Sequence, residues 1–324
     1  MTETQSLFGP VARELDSVEQ LLRSITAADP TEVGSPMSEL LVAGGKRIRP
    51  GLVLLSASCG EYDAEPAIHA AMAVEMTHAA TLVHDDVIDR SPTRRGRPTI
   101  AATHGDEPAI VIGDFYFSRA YQYAALTKSP EAVVILAEAV MGICVGEVRQ
   151  QSIRFRYSTG VDEYIGRIEA KTALLLAASC RLGALLGGLP SAQSDALDEY
   201  GRLLGLAFQI ADDVLDYTAS EGEIGKPIGH DVAEGFATLP LMLAMKDSNV
   251  SSRLAKLLVD GRRLTADEAR RVVEAVRASD GPSLALQEAR RHADEARQQL
   301  SAFPRGEAVE SLAAITGYVV TRKL

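Results

Sequence analysis

The sequence predicts an all-α protein, built as a single-domain bundle of about ten or more helices. Of its 324 residues, 46% are hydrophobic, which is enough for a large core, yet only 5% are aromatic and Trp is absent. Alanine and leucine are plentiful, and they favour close-packed helices over a β-sandwich. No central segment alternates apolar and polar residues as a half-buried strand does. We therefore expect residues 1–324 to form one helical domain.

The composition also limits the functions to consider. A formal net charge of -11 argues against broad nucleic-acid binding, so an anionic ligand would have to be attracted by a local basic cluster. The three cysteines lie far apart without CxxC spacing, which supports neither a disulfide framework nor a zinc site. The N-terminus shows no secretory pattern, and the apolar run 173–180 is too short to span a bilayer. We expect a cytoplasmic protein without a transmembrane segment.

The first predicted element is an N-terminal helix within residues 1–35, serving for packing or for dimer contact. Its apolar residues recur at helical spacing: Val11, Leu15, Val18, Leu21, Leu22 and Ile25. Pro30 must end this helix, because proline removes a backbone donor and clashes with the preceding turn.

A basic segment follows, in which Gly44 and Gly45 precede Lys46, Arg47 and Arg49. The glycines free the backbone, and the proline that comes next suits the first turn of a helix. Backbone amides at a helix start, with cations beside them, form an anion site. A solvated basic loop is the alternative interpretation.

The next predicted helix, from about residue 65 to residue 89, ends in an acidic cluster of Asp85, Asp86 and Asp89. At positions i and i+4, Asp85 and Asp89 project from one helix face, and such a pair is costly unless a cation meets it. The arginine-rich loop 90–98 comes directly afterwards. Its guanidinium groups could neutralise the carboxylates or bind phosphate.

Further helices are predicted at 107–126 and 130–151. Lys171 and Thr172 then open the apolar run 173–180, which we interpret as a buried helix.

A second acidic helix, from about residue 194 to residue 217, ends in Asp212, Asp213 and Asp216. The glycine-rich loop 222–231 follows it, with one central lysine, and could close over a ligand. Two facing acidic clusters would form a cage of oxygen ligands. Such a cage suits Mg²⁺, which prefers to be shared between carboxylates and a substrate phosphate.

These motifs stand in the order found in a known family. They are the basic segment 44–50, the first acidic cluster with Arg94-Arg95-Gly96, Lys171-Thr172, Phe208-Gln209 with the second acidic cluster, and Gly225-Lys226-Pro227. On these residues the chain resembles the trans-isoprenyl diphosphate synthases of the polyprenyl synthetase family. The resemblance implies the isoprenoid synthase fold, a deep central cavity and a homodimer.

The resemblance also implies substrates and residue roles. Isopentenyl diphosphate would be condensed head to tail with an allylic diphosphate. Mg²⁺ would be held by Asp85, Asp89 and Asp212, supported by Asp86, Asp213 and Asp216. The allylic diphosphate would be neutralised by Arg94, Lys171 and Lys226, and isopentenyl diphosphate would be bound by Lys46, Arg49, His78 and Arg95. The oxygens of Thr172 and Gln209 would stabilise the carbocation.

The chemistry explains why these residue types are needed. Cleavage of the allylic C–O bond produces a carbocation and a diphosphate, so Mg²⁺ and basic side chains must stabilise charge on the departing oxygens. Water must be excluded, because it would quench the cation. The double bond of isopentenyl diphosphate then attacks, and the departing diphosphate accepts the released proton. No protein base is assigned.

One position departs from the family pattern. The family commonly has Glu-Gly-Lys before Thr-Leu-Pro, whereas this chain has Phe236 after Glu234 and Gly235. An apolar ring replaces a lysine that would contact the allylic diphosphate. The metal cage is unaffected by this change.

Product length is predicted from the residues that precede Asp85, because one helical turn rises about 5.4 Å, close to one isoprene unit. Ala80 and Thr81 lie one turn back, and Met76 and Thr77 lie two turns back. In short-chain members an aromatic residue near the first level closes the pocket, and here that level is open. We expect an all-trans product longer than C20, with roughly six to ten isoprene units.

Three alternatives remain open on the sequence. The first is a geranylgeranyl or farnesyl diphosphate synthase of the same family. The second is a class I terpene cyclase, against which the basic segments count because a cyclase needs no second phosphate pocket. The third is a non-catalytic regulatory subunit, against which both intact acidic clusters count. Peripheral contact with a membrane for product release is compatible with all of these expectations.

Overall fold

The computed structural model describes residues 7–42, 46–94, 96–219 and 229–321. Over these residues the chain is almost entirely helical, which confirms the predicted all-α class. The α-helices are α1 (Ala12–Ala28), α2 (Thr31–Val42), α3 (Ile48–Ala57), α4 (Ala64–Ile88), α5 (Ile100–His104), α6 (Asp106–Leu126), α7 (Pro130–Ser152), α8 (Val161–Ile168), α9 (Leu174–Leu186), α10 (Ser191–Thr218), α11 (His230–Ala233), α12 (Leu239–Ala244), α13 (Ser248–Leu254), α14 (Ala266–Arg277), α15 (Gly281–Gln299) and α16 (Glu307–Thr321).

Three kinds of short element complete the described chain. Turns of 3₁₀-helix lie at Gly9–Val11 and Leu300–Ala302, and a π-helical turn, Glu169–Ala173, joins α8 to α9. Two antiparallel strands, β1 (Thr93–Arg94) and β2 (Arg97–Pro98), form a hairpin of two residues each. No helix among the described residues is both long enough and apolar enough to cross a membrane.

The chain divides into two compact units. The first comprises Met1–Val140, Leu175–Gly201 and Gln299–Ile315, and the second comprises Met141–Leu174, Arg202–Gln298 and Thr316–Leu324.

In the first unit, α4 is buried on nearly every side and packs mainly against α6 and α3. The sequence explains this placement, because α4 is rich in alanine and apolar all round rather than along one stripe. Close packing depends on Gly113 of α6, where a Cβ atom would lie 2.1 Å from the His84 ring. The first unit therefore presents the C-terminal end of α4 on a rigid support.

In the second unit, α10 lies against the π-helical turn. A Cβ atom at Gly205 would lie 2.4 Å from the Cα atom of Ala173, so only glycine permits this approach. Gln209, one turn after Gly205, is thereby brought beside Thr172 of the same turn. The apolar core on this side includes Leu206 and other buried residues of α8, α10 and α15.

Most predicted helices have the expected bounds, and α2 is the main addition. The acidic helix α10 begins at Ser191 rather than near residue 194, directly after a proline. The first helix ends at Ala28, just before Pro30 as predicted, but residues 31–42 then form α2 despite Gly34 and Pro36. Gly34 allows α2 to approach α1, because a Cβ atom there would lie 2.3 Å from the Thr26 carbonyl oxygen. Tertiary packing overrides local propensity at this point.

Candidate active site

The first acidic cluster lies at the C-terminal end of α4, in the first unit. The backbone N–H of Asp89 donates to the Asp85 carbonyl oxygen at 2.8 Å, so the helical pattern continues to the last aspartate. Asp85 and Asp89 are therefore one turn apart, and both are half-buried. Asp86 is 4% exposed. The predicted pair of carboxylates at one helix end is present.

Asp86 is paired with Arg94 of β1. Arg94 Nε lies 2.9 Å from each carboxylate oxygen of Asp86, and a terminal nitrogen lies 2.8 Å from Oδ1. The hairpin fixes Arg94, which lies opposite Arg97 in the antiparallel register. This contact is the mutual neutralisation that the sequence left open as one of two interpretations. Binding of a diphosphate by Arg94 stays a prediction.

Arg47 of the basic segment is a structural cation. Arg47 adopts φ +47° and pairs with the carboxylates of Glu19 and Glu75, and its side chain is 9% exposed. The buried Glu75 and the partly exposed Glu19 together compensate this buried charge. Lys46 is exposed, and Arg49 is half-buried in the first turn of α3. The predicted anion-binding roles of Lys46 and Arg49 stay predictions.

The residues predicted to measure product length lie inside α4. Met76, Thr77 and Ala80 are fully buried, whereas His78 and Thr81 are half-buried. The hydroxyls of Thr77 and Thr81 donate to carbonyl oxygens of their own helix at 2.8 Å and 2.7 Å. Their polar groups are thus satisfied, and they present methyl groups to their surroundings.

A chain of hydrogen bonds defines the second acidic cluster, in the second unit. Thr172 Oγ1 donates to Gln209 Oε1 at 2.7 Å, and Gln209 Nε2 donates to Asp213 Oδ1 at 2.8 Å. The Tyr164 hydroxyl donates to Asp213 Oδ2 at 2.7 Å. Because the side-chain amide nitrogen of Gln209 donates to Asp213, the side-chain oxygen of Gln209 must face Thr172. The structure thus brings two predicted catalytic residues into direct contact.

Asp216 and Asp212 have different surroundings. The backbone N–H groups of His230 and Asp231 donate to the two carboxylate oxygens of Asp216, each at 3.2 Å. Asp216 therefore anchors the start of α11. Asp212 is exposed on the last turns of α10. It is the aspartate of this cluster that is most open to solvent.

The electrostatics of this cluster favour a bound cation. Burial raises the pKa of Asp213, and the negative charge of Asp231 raises it further, whereas the charge of Arg167 opposes the rise. Burial and Asp231 likewise raise the pKa of Asp216 above its usual range. Crowded, desolvated carboxylates of this kind are relieved by a divalent cation.

The π-helical turn separates two neighbouring site residues. Lys171 is exposed, whereas Thr172 is buried beside Gln209. Such turns change the rotation of consecutive side chains within a helix and are frequent at functional sites. An exposed cation and a buried hydroxyl are thereby presented by adjacent residues.

The surroundings of Phe236 were not predicted from the sequence. The guanidinium carbons of Arg154 and Arg167 lie 5.8 Å and 5.2 Å from the centre of its ring. The contact of Tyr164 with Asp213, across 49 residues of sequence, was not predicted either. A usable signal was the spacing of Tyr164 and Arg167, which at i and i+3 share a face of α8.

Some predicted residues lie outside the described part of the chain: Gly44, Gly45, Arg95, Gly225, Lys226 and Pro227. Within the described residues, no three His, Cys, Asp or Glu side chains already meet in a geometry that would hold a metal ion. The donors nevertheless fit Mg²⁺, because they are carboxylate oxygens and because the crowded aspartates of the second cluster favour a cation.

Comparison with known proteins identifies the family. The family model described as polyprenyl synthetase matches residues 30–276, which is well over half of the chain. The chain belongs to this family. Several relatives of the chain are named as prenyl diphosphate synthases.

Individual relatives align over nearly the whole chain. Heptaprenyl diphosphate synthase component 2 of Geobacillus stearothermophilus is 37% identical over 98% of this chain and 98% of its own length. Octaprenyl diphosphate synthase of Haemophilus influenzae is 34% identical, over 99% of this chain and 96% of its own. The crystal structure of polyprenyl synthase from Caulobacter crescentus, complexed with calcium and isoprenyl diphosphate, is 36% identical with a TM-score of 0.94, covering 99% and 98% of the two chains.

Membership of the polyprenyl synthetase family confirms two predictions: the fold is the isoprenoid synthase fold, and the chain is a prenyltransferase. The relatives include synthases of long-chain prenyl diphosphates, which agrees with the predicted product longer than C20. The roles of individual residues stay predictions.

Proposed function

We propose that this chain condenses isopentenyl diphosphate with an allylic diphosphate, head to tail, and releases an all-trans polyprenyl diphosphate of roughly six to ten isoprene units. The observation that carries the proposal is the hydrogen-bonded chain Thr172–Gln209–Asp213, which fixes an amide oxygen beside a hydroxyl. Neutral oxygens held in this way stabilise a nearby carbocation without reacting with it as a free water would.

Mg²⁺ is the cofactor we propose. Asp85 and Asp89 would bind it in the first unit, and Asp212 would bind it in the second. Asp86, Asp213 and Asp216, which accept hydrogen bonds on both carboxylate oxygens, would support these ligands. When bound, Mg²⁺ supplies stabilisation of the charge that develops on the leaving diphosphate.

Basic side chains would provide the rest of the positive charge that binds the two diphosphate substrates. We assign Arg94, Lys171 and Lys226 to the allylic diphosphate, and Lys46, Arg49, His78 and Arg95 to isopentenyl diphosphate. Lys46 and Lys171 are exposed, so a soluble diphosphate can reach both side chains. The proton released after C–C bond formation passes to the departing diphosphate in this mechanism.

A second copy of this chain is the partner we propose, and residues 1–324 would act as one synthase domain. In the first unit, α6 exposes Ile110 and Val111 to 44% and 62%. In the second unit, α7 exposes Met141, Val145 and Val148, which follow one another at i, i+4 and i+7. Apolar side chains at such spacing are typical of helix faces that pack against another subunit.

The decisive experiment uses the purified full-length chain alone, with Mg²⁺, labelled isopentenyl diphosphate and several allylic primers, followed by product sizing. Products longer than C20 support the proposal, and termination at three or four units contradicts it. A cyclised hydrocarbon formed without isopentenyl diphosphate would indicate a terpene cyclase. Activity that appears only with a second protein would indicate a heteromeric enzyme, as the name component 2 of one relative suggests for that protein.

Product length can be tested by one substitution with a matched control. Ala80 and Ala79 are both buried on α4, but they point in directions about 100° apart. We expect Ala80→Phe to shorten the product to about four units, because the ring fills the first turn before Asp85. Ala79→Phe should cost similar stability, about 1–3 kcal/mol, without this shortening. Unchanged product length in folded Ala80→Phe would contradict the assignment.

A further inference from the structure

Two arginines lie against the ring of Phe236, and only one of them forms an ion pair within the described residues. Arg154 pairs with the Glu234 carboxylate and also donates from Nε to the Glu234 carbonyl oxygen at 2.8 Å. Arg167, on the last turn of α8, makes no ion pair within the described ranges of the chain. Of the two arginines beside Phe236, Arg167 is therefore the one without a direct ion-pair partner in the described part of the chain, although its charge acts on the Asp213 carboxylate.

Arg167 is held in place without a direct ion pair within the described residues. Its guanidinium carbon lies 5.4 Å from the centre of the Tyr164 ring and 5.2 Å from that of Phe236. A single hydrogen bond within the described residues, from a terminal nitrogen to the Ala237 carbonyl oxygen at 3.2 Å, fixes its direction. Two aromatic contacts restrict the side chain while leaving most of its five N–H donors for a ligand. Such preorganisation lowers the entropy lost on binding.

The position of Arg167 near Lys171 indicates a contact with the diphosphate group of the substrate rather than with its hydrocarbon chain. It precedes Lys171 by four residues across the junction of α8 with the π-helical turn, so both cations belong to consecutive turns. It is half-buried, in the range where a guanidinium is partly desolvated and can still meet a solute. A planar guanidinium with free donors fits phosphate oxygens with two parallel hydrogen bonds.

We propose that Arg167 is a further binding residue for the allylic diphosphate, oriented by the rings of Tyr164 and Phe236. This inference rests on the proposed prenyl transfer. It gives Phe236 a function of its own, since the ring positions a cation instead of supplying one. The positive charge that a lysine at residue 236 would carry comes from Arg167 in this chain.

The test compares Arg167→Gln with Arg154→Gln, since both arginines contact the same ring and only one is paired. We expect Arg167→Gln to raise the KM for the allylic diphosphate roughly tenfold, with the KM for isopentenyl diphosphate unchanged. Arg154→Gln should leave both KM values unchanged. Arg167→Gln/Phe236→Lys should recover most of the lost affinity, because the lysine returns a charge to the same place. Thermal melting of each variant verifies folding.

Three results would overturn the proposal: an unchanged allylic KM in folded Arg167→Gln, an equal rise in Arg154→Gln, or no recovery with Phe236→Lys. Calorimetric binding of inorganic pyrophosphate with Mg²⁺ separates this inference from the proposed function. If the chain transfers no prenyl group, the proposed function fails, whereas a roughly tenfold loss of pyrophosphate affinity in Arg167→Gln still supports an anion-binding role. Unchanged pyrophosphate affinity contradicts the inference.

Discussion

The two acidic clusters share the pattern Asp-Asp-x-x-Asp, but the second aspartate of each cluster has a different kind of hydrogen-bond partner. In the first unit, Asp86 is 4% exposed and faces the guanidinium of Arg94, so a full positive charge balances it. In the second unit, Asp213 is 3% exposed and receives only neutral donors, the Tyr164 hydroxyl and the Gln209 amide. Within the described residues, Asp213 makes no ion pair.

This difference shows that one sequence pattern can build two electrostatic environments. The first cluster contains a neutral buried pair plus two half-buried carboxylates. In the second, burial and the charge of Asp231 raise the pKa of Asp213 and Asp216, and the charge of Arg167 opposes this rise only in part at Asp213. The second cluster should therefore respond more strongly to metal and to pH, whereas the first should respond more strongly to loss of its arginine.

The largest expected effect is a loss of kcat, and it should distinguish the proposed Mg²⁺ ligands Asp85 and Asp212 from Asp86, which is paired with Arg94. Asp85→Asn and Asp212→Asn should each lower kcat about 10³-fold, because each would remove a carboxylate that we propose binds Mg²⁺ at the departing diphosphate. Asp86→Asn should lower kcat by only about tenfold, since Asp86 is already held by Arg94. Steady-state assays at saturating Mg²⁺ measure these effects.

The control for these variants is Asp106→Asn, an exposed aspartate in the first turn of α6. Its kcat should match that of the unsubstituted chain. Equal losses in Asp86→Asn and Asp85→Asn would show that Asp86 is a ligand, and the distinction between accessible and compensated aspartates would fail.

The next effect concerns stability in the first unit. Arg94→Gln should lower the free energy of unfolding by about 2 kcal/mol, because Asp86 would be left buried and charged without a partner. Arg94→Gln/Asp86→Asn should recover most of that loss, since two neutral amides can replace the pair. Chemical denaturation of both variants measures the coupling. A double variant as unstable as Arg94→Gln alone would contradict the pairing.

The sequence predicted the helices of the site well where apolar periodicity was strong and chain breakers bounded it. The helix α4 was expected at about 65–89 and is found at Ala64–Ile88, and α6 and α7 lie within one residue of their predicted bounds. It missed α2, because Gly34 and Pro36 argue locally against a helix. The packing of α2 on α1, with further contacts to α6, supplies the compensating free energy.

Within the site, residue types were predictable and their partners were not. The aspartates follow from the repeated pattern, yet nothing in the pattern tells Asp86 from Asp213. Arg94 follows Asp86 by eight residues, so their pairing was open to inference, whereas Tyr164 and Asp213 are 49 residues apart. Contacts between distant segments depend on helix packing, and a single sequence does not contain that geometry.

A pH titration tests the uncompensated charge of the second unit. A raised carboxyl pKa means that the folded state holds a proton that the unfolded state has released, so stability falls as pH rises. We expect the metal-free chain to lose stability between about pH 4 and about pH 8, the interval set by the usual and the raised pKa of Asp216. Asp213→Asn should flatten this dependence, and Mg²⁺ should oppose it. A slope unchanged in Asp213→Asn would contradict the proposed origin.

The smallest expected effect isolates the neutral donors of Asp213. The hydrogen bond from the Tyr164 hydroxyl to Asp213 Oδ2 lowers the pKa of that carboxyl. Tyr164→Phe removes this bond, so the variant should raise the pKa of Asp213 further. We expect a loss of about 1 kcal/mol in unfolding free energy near pH 8.5 and less near pH 5.5, where Asp213 is protonated and needs no donor. Tyr200→Phe is the control, because the Tyr200 hydroxyl donates to the Leu312 carbonyl oxygen, which does not titrate. A cost independent of pH in both variants would mean that Asp213 resembles Asp86 in carrying a compensated charge.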